Sequence, residues 1–333
     1  MDFGFKKSRR NLRGFWILDF RFWILDFGLK KSRRNLTVLI AVAVIAVVGC
    51  RSATVPSSAV ETREVHDDLG RTVKVPLKLE RAISLAPSLT EMIFAIGAGE
   101  KLVGVTTYCN YPPETASIEK IGDTQTPNIE KIIALKPQVV FVSTASQLEA
   151  FTKTLEEQGI AVYVSNPKNL DQVFNGLKQL GELFGRSEYT DDLVGSLRAR
   201  ASIVRDQAHS YGGESVSKPT VFMQISNEPL FTIGRDSFLT NLVEQAGGVS
   251  ATRDVGTAYP KLSKETAAAL DPDVIIMSDS EDNREVNKAF KNSRAVKSGR
   301  VYRIDPDIIS RPGPRLVDAL ERIDAMLHSE TKN

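Results

Sequence analysis

The sequence has few of the side chains that metal and thiol sites require. Its 333 residues include two cysteines and three histidines, and the histidines stand far apart at His66, His209 and His328. A zinc site in a protein needs several His, Cys or carboxylate ligands that converge at one place. We therefore predict no metal site, and we expect the three histidines to be solvated or structural.

The sequence also lacks the motifs of common catalytic and nucleotide-binding sites. No predicted strand is followed by G-x-G-x-x-G, and no phosphate-binding loop or G-x-S-x-G nucleophile elbow occurs. No two carboxylates form a pair that the sequence identifies as a general acid and its base. These absences predict a binding protein rather than an enzyme, with no cofactor of its own.

A long basic run is absent from most of the chain. The formal net charge is +2, but residues 1–49 contain ten Lys and Arg against three Asp and no Glu. The rest of the chain holds 33 basic and 38 acidic side chains, which is a net charge of −5. A mildly acidic body offers no electrostatic surface for nucleic acid, so we predict no nucleic-acid partner.

Residues 1–49 have the composition of an export leader. A basic segment at residues 30–34 precedes the apolar run from Val38 to Val48, which is short for a membrane span. The run ends in V-V-G-C, which resembles a lipobox, in which the cysteine becomes the lipid-modified first residue. We predict that Cys50 anchors the exported protein at the cell envelope, with a plain signal peptide or an uncleaved anchor as alternatives. Cys109 then has no disulfide partner, and we expect it to be a small buried side chain.

The leader contains a tandem duplication. The segment D-F-G-F-K-K-S-R-R-N-L at Asp2 recurs with one change at Asp26, and F-W-I-L-D-F occurs at Phe15 and again at Phe22. A leader needs one copy, and a start near Leu29 gives a leader of ordinary length. We therefore expect residues 1–28 to be untranslated.

The alternation of strand and helix patterns predicts an α/β protein with two lobes. A chain of this length suits two cores of ordinary size. We expect the lipidated cysteine and a polar tether at residues 50–64, followed by an N-terminal lobe at residues 65–186 and a C-terminal lobe at residues 212–333. Strands that alternate with helices indicate mostly parallel, Rossmann-like sheets that are covered on both faces.

One long helix is predicted between the lobes, over residues 187–211. It has no internal proline, and Tyr189, Leu193, Leu197, Ala201 and Val204 recur at helical spacing before a Gly-Gly pair. A helix of about 24 residues is roughly 36 Å long, which spans a small domain. A rigid strut between the lobes is our interpretation, and a core helix of one lobe is the alternative.

Two segments of the chain are alike without gaps. The first is N-I-E-K-I-I-A-L-K-P-Q-V-V-F-V-S from Asn128, and the second is S-K-E-T-A-A-A-L-D-P-D-V-I-I-M-S from Ser263. Each begins with a helix N-cap residue, has a glutamate in the first turn (Glu130 and Glu265), and reaches a strand through a proline. The repeat predicts two related lobes, each with an acidic side chain at an equivalent place.

Candidate ligand-binding residues lie in loops at the predicted carboxyl ends of parallel strands, where open α/β sheets bind their ligands. Aromatic faces with a few hydrogen-bond donors suit a large, partly flat ligand. The candidates are Ser88 in the loop Ala86-Pro87-Ser88 and Tyr108 in the first lobe, and Phe231, Tyr259 and Arg311 in the second.

At these positions the chain resembles the cobalamin-binding periplasmic proteins of ABC importers, within the group that serves cobalamin, haem and ferric siderophores. The resemblance runs in order over about residues 65–330. It rests on R-A-I-S-L-A-P-S-L-T-E at Arg81, V-G-V-T-T-Y-C-N-Y-P-P at Val103, N-I-E-K-I-I-A-L-K-P at Asn128, P-L-F-T at Pro229, Y-P-K-L-S-K-E at Tyr259 and R-P-G-P-R at Arg311.

This resemblance implies a monomer of two α/β lobes bridged by one long helix, with little hinge motion. It places Ser88, Tyr108, Phe231, Tyr259 and Arg311 against cobalamin, the transported ligand. It also implies that Glu130 and Glu265 dock onto arginines of the permease dimer, whose ATPase supplies the work.

The sequence departs from the family pattern in the predicted cleft. Thr124 and Ser143 stand where the best-known member has tryptophans, and Ile225 replaces another aromatic. A haem or ferric-siderophore protein of the same fold is therefore the alternative. Haem would favour Tyr108 or Tyr259 as an iron ligand, whereas an anionic siderophore would need cations such as Arg253 and Lys261 near Arg311.

Overall fold

The computed structural model describes residues 61–143, 149–211 and 217–328. The predicted leader, its duplication and Cys50 lie outside the described residues. No helix in the described part of the chain is both long and apolar enough to cross a membrane.

A β-hairpin opens the described chain. Strands β1 (Thr62–His66) and β2 (Thr72–Pro76) pair in antiparallel register, with Thr62 opposite Pro76. The turn is held by the Asp67 carboxylate, which accepts hydrogen bonds from the backbone N–H groups of Leu69 and Arg71. Strand β1 begins inside the predicted tether of residues 50–64, because pairing with β2 orders a segment whose composition is polar.

The first lobe has a parallel sheet of four strands in the order β4-β3-β5-β6. Helices connect these strands, so the sheet is covered as in other parallel α/β units. The elements are β3 (Ala82–Ser84), α1 (Pro87–Ala95), β4 (Leu102–Val105), α2 (Ile129–Ala134), β5 (Val139–Ser143), α3 (Glu149–Glu157), β6 (Ala161–Ser165) and α4 (Leu170–Leu183).

The second lobe repeats this topology. Its sheet has the order β10-β9-β7-β8, and all pairs are parallel, so β7, β8, β9 and β10 correspond to β3, β4, β5 and β6. The elements are β7 (Thr220–Gln224), α6 (Phe238–Gln245), β8 (Val249–Ser250), α7 (Lys264–Ala268), β9 (Val274–Ser278), α8 (Arg294–Lys297), β10 (Val301–Ile304), α9 (Pro306–Ile309) and α10 (Leu316–His328).

The sequence repeat coincides with this structural repeat. The side chain of Asn128 caps α2 by accepting from the Lys131 N–H, and Ser263 caps α7 by accepting from the Thr266 N–H. Lys136 and Asp271, the equivalent residues before the prolines, both have positive φ, at 48° and 38°. The two lobes are therefore related, as predicted, and they share an unusual backbone conformation at equivalent positions.

The helix α5 (Ser187–Tyr211) has 25 residues and is about 37 Å long. It packs against α4 of the first lobe and α10 of the second. Its buried residues Val194, Leu197, Ala201 and Val204 belong to a hydrophobic cluster that continues into both lobes. The helix is thus shared between the lobes, and a continuous core resists their separation.

The buried face of α5 differs from the predicted one in its first two turns. Tyr189 is exposed and Leu193 is half-buried, while Thr190 and Val194 are buried instead. Gly181 of α4 explains this, because a Cβ at that position would collide with the Thr190 side chain. Because Gly181 has no side chain, α4 and α5 can approach closely around Thr190. A search for apolar residues at helical spacing does not identify this contact, because threonine is polar.

Arg200 links α5 to α10 through ion pairs with Asp318 and Glu321, both at 2.6 Å. We expect Arg200→Ala to lower the free energy of unfolding at pH 7 by about 1 kcal/mol, since each side chain is more than a third exposed and is screened by solvent. Arg200 lowers the pKa of Glu321 in the folded protein. The contribution is therefore present above the carboxyl's unfolded pKa, about 4.3, and is lost as the pH falls through the lower folded value.

Urea denaturation of both proteins across pH 3–7 measures this difference. Lys178→Ala is the matched control, because Lys178 forms an exposed ion pair with Asp191 between α4 and α5. An Arg200→Ala effect that stayed constant down to pH 3 would rule out an ionic origin.

Candidate functional site

A cavity of about 540 Å³ lies between the two lobes, at the carboxyl ends of both sheets. Residues from both lobes line it, as expected for open α/β sheets. The lining residues that were predicted as ligand contacts are Ser88, Tyr108, Tyr259 and Arg311.

The loop after β3 forms the first part of the wall. Pro87 and Ser88 lie in the first turn of α1, whereas the sequence predicted that both belong to a loop. Proline is favoured at the first helical position, because it lacks only an N–H that would have no partner there and its φ suits a helix. Ser88 is nearly buried at 8% exposure, so a small part of this side chain faces the cavity.

Tyr108 projects from the loop after β4. Its side chain is 57% exposed, while the next residue, Cys109, is buried at 2% exposure, as predicted. The Cys109 Sγ contacts the hydroxyls of Thr90 and Thr106, each at 3.2 Å. Lys120 also donates from Nζ to the Cys109 carbonyl. The loop is therefore anchored from below while its tyrosine is presented to the cavity.

Tyr259 faces the cavity from the second lobe. Its loop pairs with the strand-like segment after β7, through hydrogen bonds from the Gly234 N–H to the Ala258 carbonyl and from the Thr232 N–H to the Pro260 carbonyl. A Cβ at Gly234 would collide with the Thr257 carbonyl oxygen, so the close approach requires glycine. Burial raises the pKa of the Tyr259 phenol, and a hydrogen bond with Ser237 opposes this more weakly.

Phe231 does not line the cavity among the residues that the structure describes. Its backbone pairs with Ser226 and bridges to Lys261, which folds the segment after β7 back on itself. The side chain is half-buried there. This arrangement of the loop does not bring Phe231 together with the other four candidates, and its contact with a ligand stays a prediction.

Arg311 lines the cavity, but its guanidinium already has partners from both lobes. Its Nη1 donates to Glu91 Oε1 at 2.8 Å and to Asn110 Oδ1 at 2.7 Å, and its Nη2 donates to Asp307 Oδ1 at 2.7 Å. Arg315 donates to both oxygens of Glu91, at 2.6 and 2.8 Å. We call these five residues, Glu91, Asn110, Asp307, Arg311 and Arg315, the interlobe clasp.

The charged side chains in the cavity wall balance one another. The described lining residues include the cations Lys168 and Arg311 and the anions Asp236 and Asp307. Thr124 and Ser143 line the first-lobe wall, as the sequence predicted for the positions that lack tryptophan. Arg253 and Lys261, the cations considered for an anionic ligand, are exposed and do not belong to the described lining.

Glu130 and Glu265 lie in the first turns of α2 and α7. Both are exposed, and neither forms an ion pair with any residue in the described ranges. Hydrogen bonds from its own backbone N–H and from Ser263 lower the pKa of Glu265. The two equivalent helices therefore each present a solvent-exposed carboxylate that has no ion-pair partner among the described residues.

The paired topology, the shared helix and the interlobe cavity agree with a family match. Residues 83–308 match the family described as periplasmic binding protein. The chain belongs to this family.

This periplasmic binding protein is similar to characterised and uncharacterised relatives. It is 31% identical over 273 residues to the uncharacterized ABC transporter substrate-binding lipoprotein YvrC of Bacillus subtilis, covering 80% of this chain and 86% of the relative. The structure of the periplasmic vitamin B12 binding protein BtuF of Vibrio cholerae is 30% identical, with a TM-score of 0.68 over 78% of this chain and 100% of that one. A periplasmic heme binding protein from Pseudomonas aeruginosa is 25% identical, with a TM-score of 0.67 over 76% and 94% of the two chains.

Sequence reasoning missed part of this periplasmic binding protein's site. Asp307 and Arg311 have an i, i+4 spacing, which predicts contact within a helical turn. No such signal exists for Glu91, whose partners are more than 200 residues away in the chain. The close approach at Gly234 likewise depends on how two distant loops pair.

Proposed function

We propose that the protein is the substrate-binding lipoprotein of an ABC importer, and that it captures a cobalamin-like corrinoid in the interlobe cavity. It delivers this ligand to a permease dimer with its ATPase. Lipid at Cys50 holds it at the cell envelope, and Glu130 and Glu265 dock it onto the permease. It acts as a monomer and catalyses no reaction.

One observation carries the proposal: tyrosines from opposite lobes line a single cavity whose charged side chains balance. Tyr108 and Tyr259 offer aromatic faces to a flat macrocycle, and aromatic faces provide large apolar contact. Cyanocobalamin is neutral overall, so a balanced wall suits it. The similarity to the vitamin B12-binding protein of Vibrio cholerae supports the same ligand class.

Haem is the second candidate, because the Tyr108 phenol is more than half exposed and accessible to iron. The similar heme binding protein from Pseudomonas aeruginosa supports it. Two features count against it. Burial raises the pKa of Tyr259 and so opposes a phenolate there, and the balanced wall offers no excess cation to the haem propionates. A ferric siderophore is less well supported, because Arg253 and Lys261 stand outside the described lining.

Equilibrium dialysis of the purified protein against cyanocobalamin tests the proposal. We expect retained ligand, read by its visible absorbance, to saturate at one molecule per chain. Retention that rises linearly with concentration, or no retention, would contradict the proposal.

A further inference from the structure

We propose that Glu91 makes the interlobe cavity selective for ligands without net negative charge, by neutralising the guanidinium of Arg311 from the opposite lobe. The inference rests on the proposed role of the cavity as a ligand site. Glu91 acts through Arg311 and is therefore a positioning residue.

The geometry of Glu91 is that of a buried counter-ion. Its side chain is 2% exposed and lies between Arg311 and Arg315, whose side chains are 11% and 16% exposed. Glu91 belongs to α1 of the first lobe, one turn after Ser88, which lines the cavity, but Glu91 itself is not among the described lining residues. Burial of a carboxylate is costly unless it has close cationic partners, and the two arginines provide them.

The charges of the interlobe clasp sum to zero. Two guanidinium groups face two carboxylates, Glu91 and Asp307, and Asn110 completes the network by donating from Nδ2 to Asp307 at 2.9 Å. Arg311 is the cation of this cluster that reaches the cavity wall. Without the Glu91 charge, the cluster would have a net charge of +1 beside the ligand, in a place where water screens poorly.

The neutralising role of Glu91 is distinct from holding the two lobes together. The shared core along α5 already joins them over its length, as described above. Arg315 is also held from a second side, since its guanidinium lies 4.1 Å from the centre of the Tyr111 ring. Charge neutralisation at Arg311, by contrast, has no other source in the first lobe among the described partners of that guanidinium.

Three variants test the proposal by changing the net charge of the interlobe clasp. Glu91→Gln keeps the side-chain volume and gives a net +1, Arg315→Gln gives a net −1, and the double variant restores zero. Each is titrated with cyanocobalamin and with its derivative in which one peripheral amide is hydrolysed to a carboxylate. These two probes differ by one negative charge and hardly in shape.

We expect Glu91→Gln to shift the affinity ratio about tenfold toward the carboxylate derivative, because one unit charge acts at short range in a partly buried site. Arg315→Gln shifts the ratio in the opposite direction, and the double variant returns it to that of the unmodified protein. The shifts shrink at high salt. Thermal unfolding of each variant, measured in parallel, reports whether the fold is retained.

If Glu91 had only a structural role, the three variants would differ from this pattern in their affinities for the two probes. If all three variants lost affinity for both probes equally, with the double variant weakest, the proposal would be overturned. If the unmodified protein bound neither corrinoid, the proposed ligand would be wrong, yet haemin and its dimethyl ester, which lacks both propionate charges, would still provide the charge comparison. An unchanged ratio in Glu91→Gln with either probe pair also overturns it.

Discussion

Replacing Glu130 and Glu265 together by alanine should reduce cyanocobalamin uptake by cells at least tenfold, while the affinity of the purified protein for the ligand stays within twofold. Both carboxylates are exposed and lack an ion-pair partner in the described chain, so they are free to meet cations of another protein. Loss of one side of a buried interfacial charge pair costs about 2–5 kcal/mol. The single variants should have intermediate uptake.

The matched control is the double variant Glu156→Ala with Glu244→Ala. These glutamates are exposed on helices of the first and second lobe, but they lie outside the repeated segments. We expect uptake with this control to equal that of the unmodified protein. If the Glu130 and Glu265 double variant also retained full uptake, the docking role of the repeat would be wrong.

Removing the aromatic side chains of Tyr108 and Tyr259 should have the largest effect on ligand affinity. Each alanine variant loses one aromatic wall, and we expect each to weaken cyanocobalamin binding by about 1.5–2.5 kcal/mol, or roughly ten- to seventyfold. The tyrosines come from opposite lobes, so the two losses should be nearly additive.

Calorimetric titration of these variants measures the loss. Tyr189→Ala is a matched control, since Tyr189 has the same 57% exposure as Tyr108 but lies on α5. Phenylalanine at positions 108 and 259 keeps the aromatic face and should keep corrinoid binding. A phenylalanine variant that abolished cyanocobalamin binding would contradict the role of the aromatic face, because this change removes only the phenol hydroxyl.

The repeated segments and the long helix could be predicted because their signals are local. An N-cap residue, a glutamate in the first turn and a proline before a strand define each repeat within 16 residues. The helix 187–211 has no proline and ends before a Gly-Gly pair, and α5 has the same bounds. Two boundaries differ from the predicted ones, because β1 begins at Thr62 and α1 begins at Pro87. Both depend on backbone partners that composition does not specify.

The cavity was predicted less completely, because its details depend on contacts between distant segments. Four of the five candidate contacts line it, and Phe231 does not, because its loop folds back onto Ser226. The pairing of Glu91 with Arg311 and Arg315 joins lobes that the sequence treats separately. A loop's position in the sequence therefore predicts which side chains are near the cavity, whereas the partners of each charge follow only from the fold.

Side-by-side calorimetric titration of the purified protein with cyanocobalamin, haemin and a ferric siderophore tests the central claim most directly. The balanced charges and the facing tyrosines predict saturable one-to-one binding of cyanocobalamin, tighter than that of either other ligand. Saturable binding of haemin with no signal from cyanocobalamin would contradict the account.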